Sequence, residues 1–311
     1  MVLAVEKEIL RVSGLVKRFG RVEALKGIDI SLTRPGVYGF LGPNGAGKTT
    51  AFKVITGLLR PTSGSVGICG VDIRANTRDA VRNIGILFDS PAYYPYLSGR
   101  DNLEVFARWS GLGGAAGTEE LLRKTGLEKA ADKKVGEYSW GMKRRLGIAA
   151  ALLGDPPLII MDEPTNGLDP AGIAEIKRLM PELAHERGRV ILFSSHRMDE
   201  VDQVCDSLMI INGGVIVASG TTEELSRAER VVEITCSDAE KAVNIISGMS
   251  GIDKIERTGA DRLRVRAPGS PAGAINGALV EAGIEVSRIA ESKESLEDIF
   301  FRLTGTGFNG E

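Results

Sequence analysis

Residues Gly42-Pro43-Asn44-Gly45-Ala46-Gly47-Lys48-Thr49 fit the spacing GxxxxGK[ST] in full, and the chemistry of that spacing is phosphate binding. Glycine at 42, 45 and 47 lets the backbone curl until consecutive N–H groups point inward at phosphate oxygens. The helical stretch that follows turns its positive end toward the same anion. Lys48 brings a point charge to β- and γ-phosphates, and the Thr49 hydroxyl suits Mg²⁺. The plain alternative is a glycine-rich turn with an incidental lysine. The apolar strand Gly36–Leu41 before the loop and the helical Thr49–Thr56 after it are the context that the phosphate reading requires.

A phosphate loop needs acid groups beside it. Leu158-Ile159-Ile160-Met161 is an apolar strand running into Asp162 and Glu163. At the C-terminal end of a strand these carboxylates reach the edge where α/β sheets bind ligands. Asp162 suits a Mg²⁺ contact through water, and Glu163 suits polarisation of an attacking water. Alternatively, such acids cap the next helix. His196 follows strand Val190–Phe193 through Ser194-Ser195, where it either contacts a γ-phosphate or serves as a structural hydrogen-bonding residue. His185, in His185-Glu186-Arg187, reads as a solvated helix end.

The elements that must hold these residues follow from patterning. Gly36–Leu41, Leu158–Met161, Val190–Phe193 and Leu208–Ile211 are nearly continuous apolar runs, as in strands covered on both faces of a mainly parallel sheet. Helical stretches such as Trp140–Leu153 and Ala171–Glu186 alternate with them, an α/β arrangement. Residues 90–156 turn mostly helical, broken at Gly111–Gly117, and read as a helical subdomain inserted in the core. Near Thr221–Arg230 the composition becomes polar and the rhythm changes. Val231–Cys236, Ile252–Arg257, Leu263–Ala267 and Val286–Ala290 read as strands; Ala239–Gly248 and Ser270–Ala282 read as helices. That order, βαββαβ, predicts a small α+β domain over 228–311, with a last helix near Ser295–Leu303.

Composition narrows the function classes. At 311 residues the prior is about two domains. A net charge of −2 argues against a dedicated nucleic-acid binder. The three cysteines, scattered and odd in number, suit a reducing compartment, and two histidines exclude a His-rich metal site. No apolar run reaches the length of a membrane span, and the first ten residues, with Glu6, Lys7 and Glu8, lack the apolar core of a signal peptide. The expected location is cytoplasmic.

With these residues in view, the chain resembles the ATP-binding subunit of an ATP-binding-cassette (ABC) transporter over residues 8–225. Gly42–Thr49 and Leu158–Glu163 stand in the family's order with further motifs. Asn166-Gly167-Leu168-Asp169-Pro170 resembles the D-loop, and Ser194-Ser195-His196 the switch histidine. Tyr138-Ser139-Trp140-Gly141-Met142, running into Lys143-Arg144-Arg145-Leu146, resembles the family signature, and Phe19 takes the place of the aromatic that stacks on adenine. The resemblance implies a P-loop NTPase core over 1–225 that binds ATP and Mg²⁺. It implies nucleotide contacts from Phe19, from 42–49 with Thr50, and from Ser139, Gly141 and Asp169. Thr49, Asp162 and Asp89 are implied for the metal, and Glu163, His196 and Lys48 for hydrolysis.

The signature keeps Ser139 and Gly141 but carries Tyr138, Trp140 and Met142 where the family has Leu, Gly and Gln. Asp89, before Ser90-Pro91, stands where the family has the Q-loop glutamine; it either binds Mg²⁺ through water or caps a turn. These departures, with Ser295-Leu296-Glu297-Asp298-Ile299-Phe300, are similar to ATPases of the ABC-2 type export branch, which includes peptide-antibiotic and multidrug exporters. The resemblance further implies a head-to-tail dimer of two copies and a membrane permease as partner. Tyr93, Tyr94 and Tyr96 are expected in the groove that accepts the permease, or else to pack the helical subdomain. The implied station is the cytoplasmic face of the membrane. The competing reading is a soluble ABC ATPase in a non-transport role such as metal-cluster assembly.

Overall fold

The computed structural model describes residues 8–88, 92–112, 117–227, 230–267, 272–293 and 296–305. Its contacts divide the chain between Ser219 and Gly220 into two compact units. The first unit runs in chain order through β1 (Leu10–Phe19), β2 (Val22–Leu32), β3 (Gly36–Leu41), α1 (Lys48–Ile55), β4 (Ser63–Ile68), β5 (Val71–Asp72), α2 (Thr77–Val81) and β6 (Ile84–Leu87). It continues through α3 (Gly99–Trp109), α4 (Thr118–Lys124), α5 (Trp140–Ala151), β7 (Leu158–Asp162), α6 (Pro170–Pro181), β8 (Val190–Ser195), α7 (Met198–Val201), β9 (Ser207–Asn212) and β10 (Val215–Thr221).

The apolar runs form the middle of a six-stranded sheet of order β10-β9-β3-β8-β7-β6. Every residue of β7 and β8 is buried, as expected of strands covered on both faces. The pairing of β3 with β8 and of β8 with β7 is parallel and without slips, and it sets Leu41 beside Ser195 and Asp162 beside Ser194. Three strand ends that lie far apart in sequence therefore finish along one edge.

A second sheet, antiparallel and ordered β2-β1-β4-β5, does not stand out in the apolar patterning. Its strands bury one face only: Leu10, Val12 and Leu15 of β1 and Leu25, Ile28 and Ile30 of β2 enter the core while their neighbours stay exposed. The alternation is broken where β1 and β2 shift register between Val12 and Leu15, which hides its period. Ala171–Glu186, expected as one helix, ends as an α-helix at Pro181 and closes in a wider π turn over Glu182–Glu186. Pro181 has no N–H to continue the ladder.

The described residues between β6 and β7 are mostly helical. Ser98 and Asp101 form a capping box that starts α3, and Ser139 caps α5 by accepting the Met142 N–H. Leu103, Leu122, Leu127, Val135, Tyr138 and Leu146 make its own small core.

The second unit contains α8 (Thr222–Arg227), β11 (Arg230–Cys236), α9 (Ala239–Ser247), β12 (Lys254–Arg257), β13 (Arg262–Arg266), α10 (Ala272–Glu281), β14 (Val286–Lys293) and α11 (Leu296–Thr304). α8 goes with this unit because it packs on α11. The four strands form an antiparallel sheet of order β12-β13-β11-β14, the split-βαβ arrangement. Val232, Ile234, Leu263 and Val265 pack with Ala242, Ile246, Ile275 and Leu279 of α9 and α10.

Gly85 is where the helical stretch meets the sheet. A β-carbon there would run into the Ala151 carbonyl at the end of α5. Gly85→Ala is expected to lower stability by about 1–3 kcal/mol through overpacking, read from urea denaturation. An unchanged midpoint would mean that β6 and α5 are not held this closely in solution.

Candidate functional site

The phosphate loop sits between β3 and α1. Gly47 caps α1 with φ +109°, and a β-carbon there would lie 2.8 Å from the Ala24 carbonyl oxygen of β2. At Gly42 a β-carbon would strike the Ile211 carbonyl. The loop is thus pressed between β2 and β9, and glycine is required at both positions. Asn44 and Gly45 at its tip are exposed, Pro43 and Thr50 are half-buried, and Ala46 is buried.

Lys48 is buried, and its Nζ donates to the Gly42 carbonyl at 2.6 Å and to the Pro43 carbonyl at 3.2 Å. Burial pulls its pKa below the usual lysine range, while Glu163 and Asp162 act in the opposite direction. An ammonium held this way gains from an added anion, as a phosphate-binding lysine should.

The acid strand reaches the loop as expected. Asp162 Oδ2 accepts the Thr49 hydroxyl at 2.8 Å, and Asp162 Oδ1 accepts the Ser194 hydroxyl at 2.6 Å. Glu163 Oε1 lies 3.9 Å from Lys48 Nζ, and Glu163 Oε2 lies 2.9 Å from His196 Nδ1. The imidazole contact is a close approach and not an aligned hydrogen bond, since His196 Nδ1 has no hydrogen-bond partner among the described residues. Glu163 has φ +48°, a left-handed conformation that costs a non-glycine residue about 1–3 kcal/mol. Its N–H donates to Ser194 Oγ at 2.9 Å. Lys48, Thr49, Asp162, Glu163 and His196 therefore form one connected site.

Mg²⁺ usually keeps several waters and takes one or two protein oxygens together with phosphate oxygens. The side-by-side oxygens of Thr49 and Asp162 match that requirement, and no larger cluster of His, Cys, Asp or Glu suited to a metal occurs among the described residues. Asp89 lies outside the described residues.

The signature residues stand at the start of α5. Ser139 is its N-cap, and the substitutions around it find local partners. The Tyr138 hydroxyl donates to the Ala130 carbonyl at 2.6 Å, Trp140 Nε1 donates to the Asn166 carbonyl at 3.2 Å, and Met142 packs on the helical core. A β-carbon at Gly141 would come within 3.3 Å of Leu168, so this turn abuts the D-loop stretch. Asp169 caps α6, accepting the Gly172 N–H at 2.9 Å. Phe19, at the end of β1, is 47% exposed, with Lys17 Nζ 4.9 Å from its ring centre. His185 lies half-exposed, 3.4 Å from Asp206, away from these motifs in the wide turn after α6.

The tyrosines form part of an aromatic series. Tyr93 is packed inward, donating to the Lys143 carbonyl at 2.6 Å, and meets Phe106. Tyr94 meets both Tyr96 and Trp109 with ring centres 5.9 Å apart. Tyr96 and Trp109 are 66% and 71% exposed, so the series ends in an open aromatic face.

Two contributors stand within the motifs but have no role assigned there. Ser194, fully buried, joins Asp162 to the Glu163 backbone. Arg144, 1% exposed, donates to the carbonyls of Phe88, Asp162, Glu163 and Pro164. Nothing in a run of three basic residues, Lys143-Arg144-Arg145, marks the middle one as internal. The available signals are its place in the continuation of the signature and its position five residues after the helix cap Ser139.

Comparison with known proteins gives concordant matches. Residues 25–166 match the sequence profile described as ABC transporter. The bacitracin transport ATP-binding protein BcrA of Bacillus licheniformis is 39% identical over 303 residues, 97% of this chain and 99% of the relative. The daunorubicin resistance ATP-binding protein DrrA3 of Streptomyces coeruleorubidus is 37% identical, covering 95% of this chain and 96% of the relative. A solved dimeric ATP-binding cassette in a post-hydrolysis state, bound to ADP and Pi, superposes with a TM-score of 0.62 at 25% identity, over 68% of this chain and 98% of its own.

Ser194→Ala would leave Asp162 Oδ1 and the Glu163 N–H without their buried partner. The expected loss is about 1–3 kcal/mol, read as a lowered midpoint in scanning calorimetry. An unshifted transition would show that water replaces the hydroxyl at no cost.

Proposed function

The chain belongs to the ABC transporter family, and on that premise we propose that it is the ATP-binding subunit that energises a separate membrane permease for export. It binds ATP and hydrolyses it. One observation carries the reading: Lys48, Thr49, Asp162, Glu163 and His196 meet at the aligned ends of β3, β7 and β8.

In the proposed mechanism the loop N–H groups and Lys48 hold the phosphates, and Glu163 orients and activates the attacking water. His196, beside Glu163, senses the γ-phosphate. Thr49 and Asp162 would hold Mg²⁺, which when bound neutralises charge on phosphate oxygens. The protein's share of catalysis is positioning and electrostatic complementarity, as in phosphoryl transfer generally. Phe19, exposed at the end of β1, is free to stack on adenine.

Two copies pair head to tail, so that Ser139 and the Gly141 N–H at the start of α5 meet the nucleotide of the partner, with Asp169 near the junction. The dimeric post-hydrolysis cassette supports this arrangement. No described helix is long and apolar enough to cross a membrane. We assign the substrate path to a permease, with this subunit on its cytoplasmic face and the open aromatic face of Tyr94, Tyr96 and Trp109 as the docking surface. Of a drug, a peptide antibiotic or a lipid-like substrate, the relatives named for bacitracin transport and daunorubicin resistance favour the first two as cargo.

Glu163→Gln should lower ATP turnover by about 10²–10⁴-fold while ATP binding persists, and gel filtration with ATP should show a stable dimer. Turnover at the wild-type rate would remove Glu163 from the catalytic role. Tyr94→Ala should lower both transport and co-purification of a polytopic membrane protein from detergent extracts, with ATP turnover of the isolated subunit retained. Loss of turnover together with transport would contradict a docking role.

A further inference from the structure

We propose that Arg144 is a positioning residue that sets the backbone of Glu163 and thereby ties the start of α5 to the hydrolytic carboxylate. The proposal rests on the reading of Glu163 as the group that activates water.

A guanidinium buried to 1% exposure is costly unless its N–H groups find acceptors. Arg144 finds them on the backbone. Nη2 donates to the carbonyl of Asp162 at 2.8 Å and to that of Glu163, and Nε donates to that of Pro164 at 3.1 Å. Three successive carbonyls of the turn after β7 thus converge on one side chain. Nη1 reaches the other way, to the Phe88 carbonyl after β6 at 3.1 Å. The flat fork of arginine can span these divergent acceptors; the compact ammonium of lysine cannot. Arg145, its neighbour, shows the ordinary alternative: it is partly exposed and pairs with Glu175 at 3.3 Å.

The turn that Arg144 grips is the strained one. Glu163 keeps φ +48° only because its surroundings hold it. Its peptide groups are held at both ends, the N–H by Ser194 Oγ and the carbonyl by Arg144. Backbone conformation decides where the side chain points, and here it points between His196 Nδ1 and Lys48 Nζ. Relaxation of this turn would swing the carboxylate away from both.

Arg144 stands five residues after Ser139, the N-cap of α5. In the proposed dimer, Ser139 reads the nucleotide bound by the partner. The same helix then carries, one and a half turns on, the group that holds the catalytic turn of its own chain. Movement of α5 on engaging one nucleotide is therefore felt at the carboxylate serving the other.

The test uses full-length Arg144→Lys and Arg144→Gln, each alone and combined with Glu163→Gln. The second substitution guards against a lysine that disturbs the core. ATP turnover and ATP affinity, the latter by fluorescence titration, are measured on all of them. Turnover should fall about 10- to 100-fold while the Kd for ATP stays within about threefold. Neither substitution should lower the residual rate of Glu163→Gln further, because both act through one group. Unchanged turnover, affinity lost in step with turnover, or a further fall in the Glu163→Gln background overturns the positioning role. Wild-type turnover in Glu163→Gln itself would instead overturn the assignment of Glu163, and this proposal with it.

Discussion

Parallel strands paired without a slip bring their C-terminal ends to the same line, and in this protein β3, β8 and β7 are paired that way. Side chains alternate faces along a strand, so a shift of one residue would turn Asp162 and Ser194 to opposite sides. The hydrogen bond between them, like the bond from Thr49 to Asp162, exists because the register is kept. Every residue of β7 and β8 is buried, so a slip would force side chains of different shape to be refitted against close-packed neighbours on both faces at once. The placement of the candidate site residues thus depends on the packing of strand interiors that lie outside the site.

The electrostatics follow from that placement. Two carboxylates, Asp162 and Glu163, stand together beside a single buried ammonium. Neither is isolated: Asp162 is hydrogen-bonded by two hydroxyls, and Glu163 has Lys48 and His196 at hand. Burial lowers the pKa of Lys48, and the same acids act in the opposite direction. A site of this composition favours a polyanion that brings its own divalent cation over a simple anion, which the carboxylates would repel.

The stretch between β6 and β7 joins this centre to the surface. α5 begins with the signature residues, packs its end on Gly85, and sends Arg144 into the turn after β7. Tyr93 donates to the carbonyl of Lys143, one residue from Arg144, and leads by aromatic contacts to the open face at Tyr96 and Trp109. A partner docked on that face and a nucleotide at Ser139 would both act on one short helix. The accessory unit has its own sheet and core.

Much of this was legible in residues 36–49, 158–163 and 190–196. Glycine spacing, apolar runs and acids at strand ends are local signals, set by backbone sterics and by the burial of both faces of a strand. The βαββαβ order of the second unit was legible for the same reason. The half-buried sheet of β1, β2, β4 and β5 was not, because its one-sided pattern is interrupted by a register shift. Arg144 and Ser194 were hidden more deeply. A basic residue in Lys143-Arg144-Arg145 and a serine before a histidine carry no mark of burial, since their hydrogen-bond partners come from segments 18 to 56 residues away. The sequence by itself determined which groups could bind and split a phosphate anhydride, because that depends on residue type and short spacing. Only the tertiary structure decided how the turn after β7 is held, because that depends on hydrogen bonds between backbone and side chains that meet when the sheet and α5 close on each other.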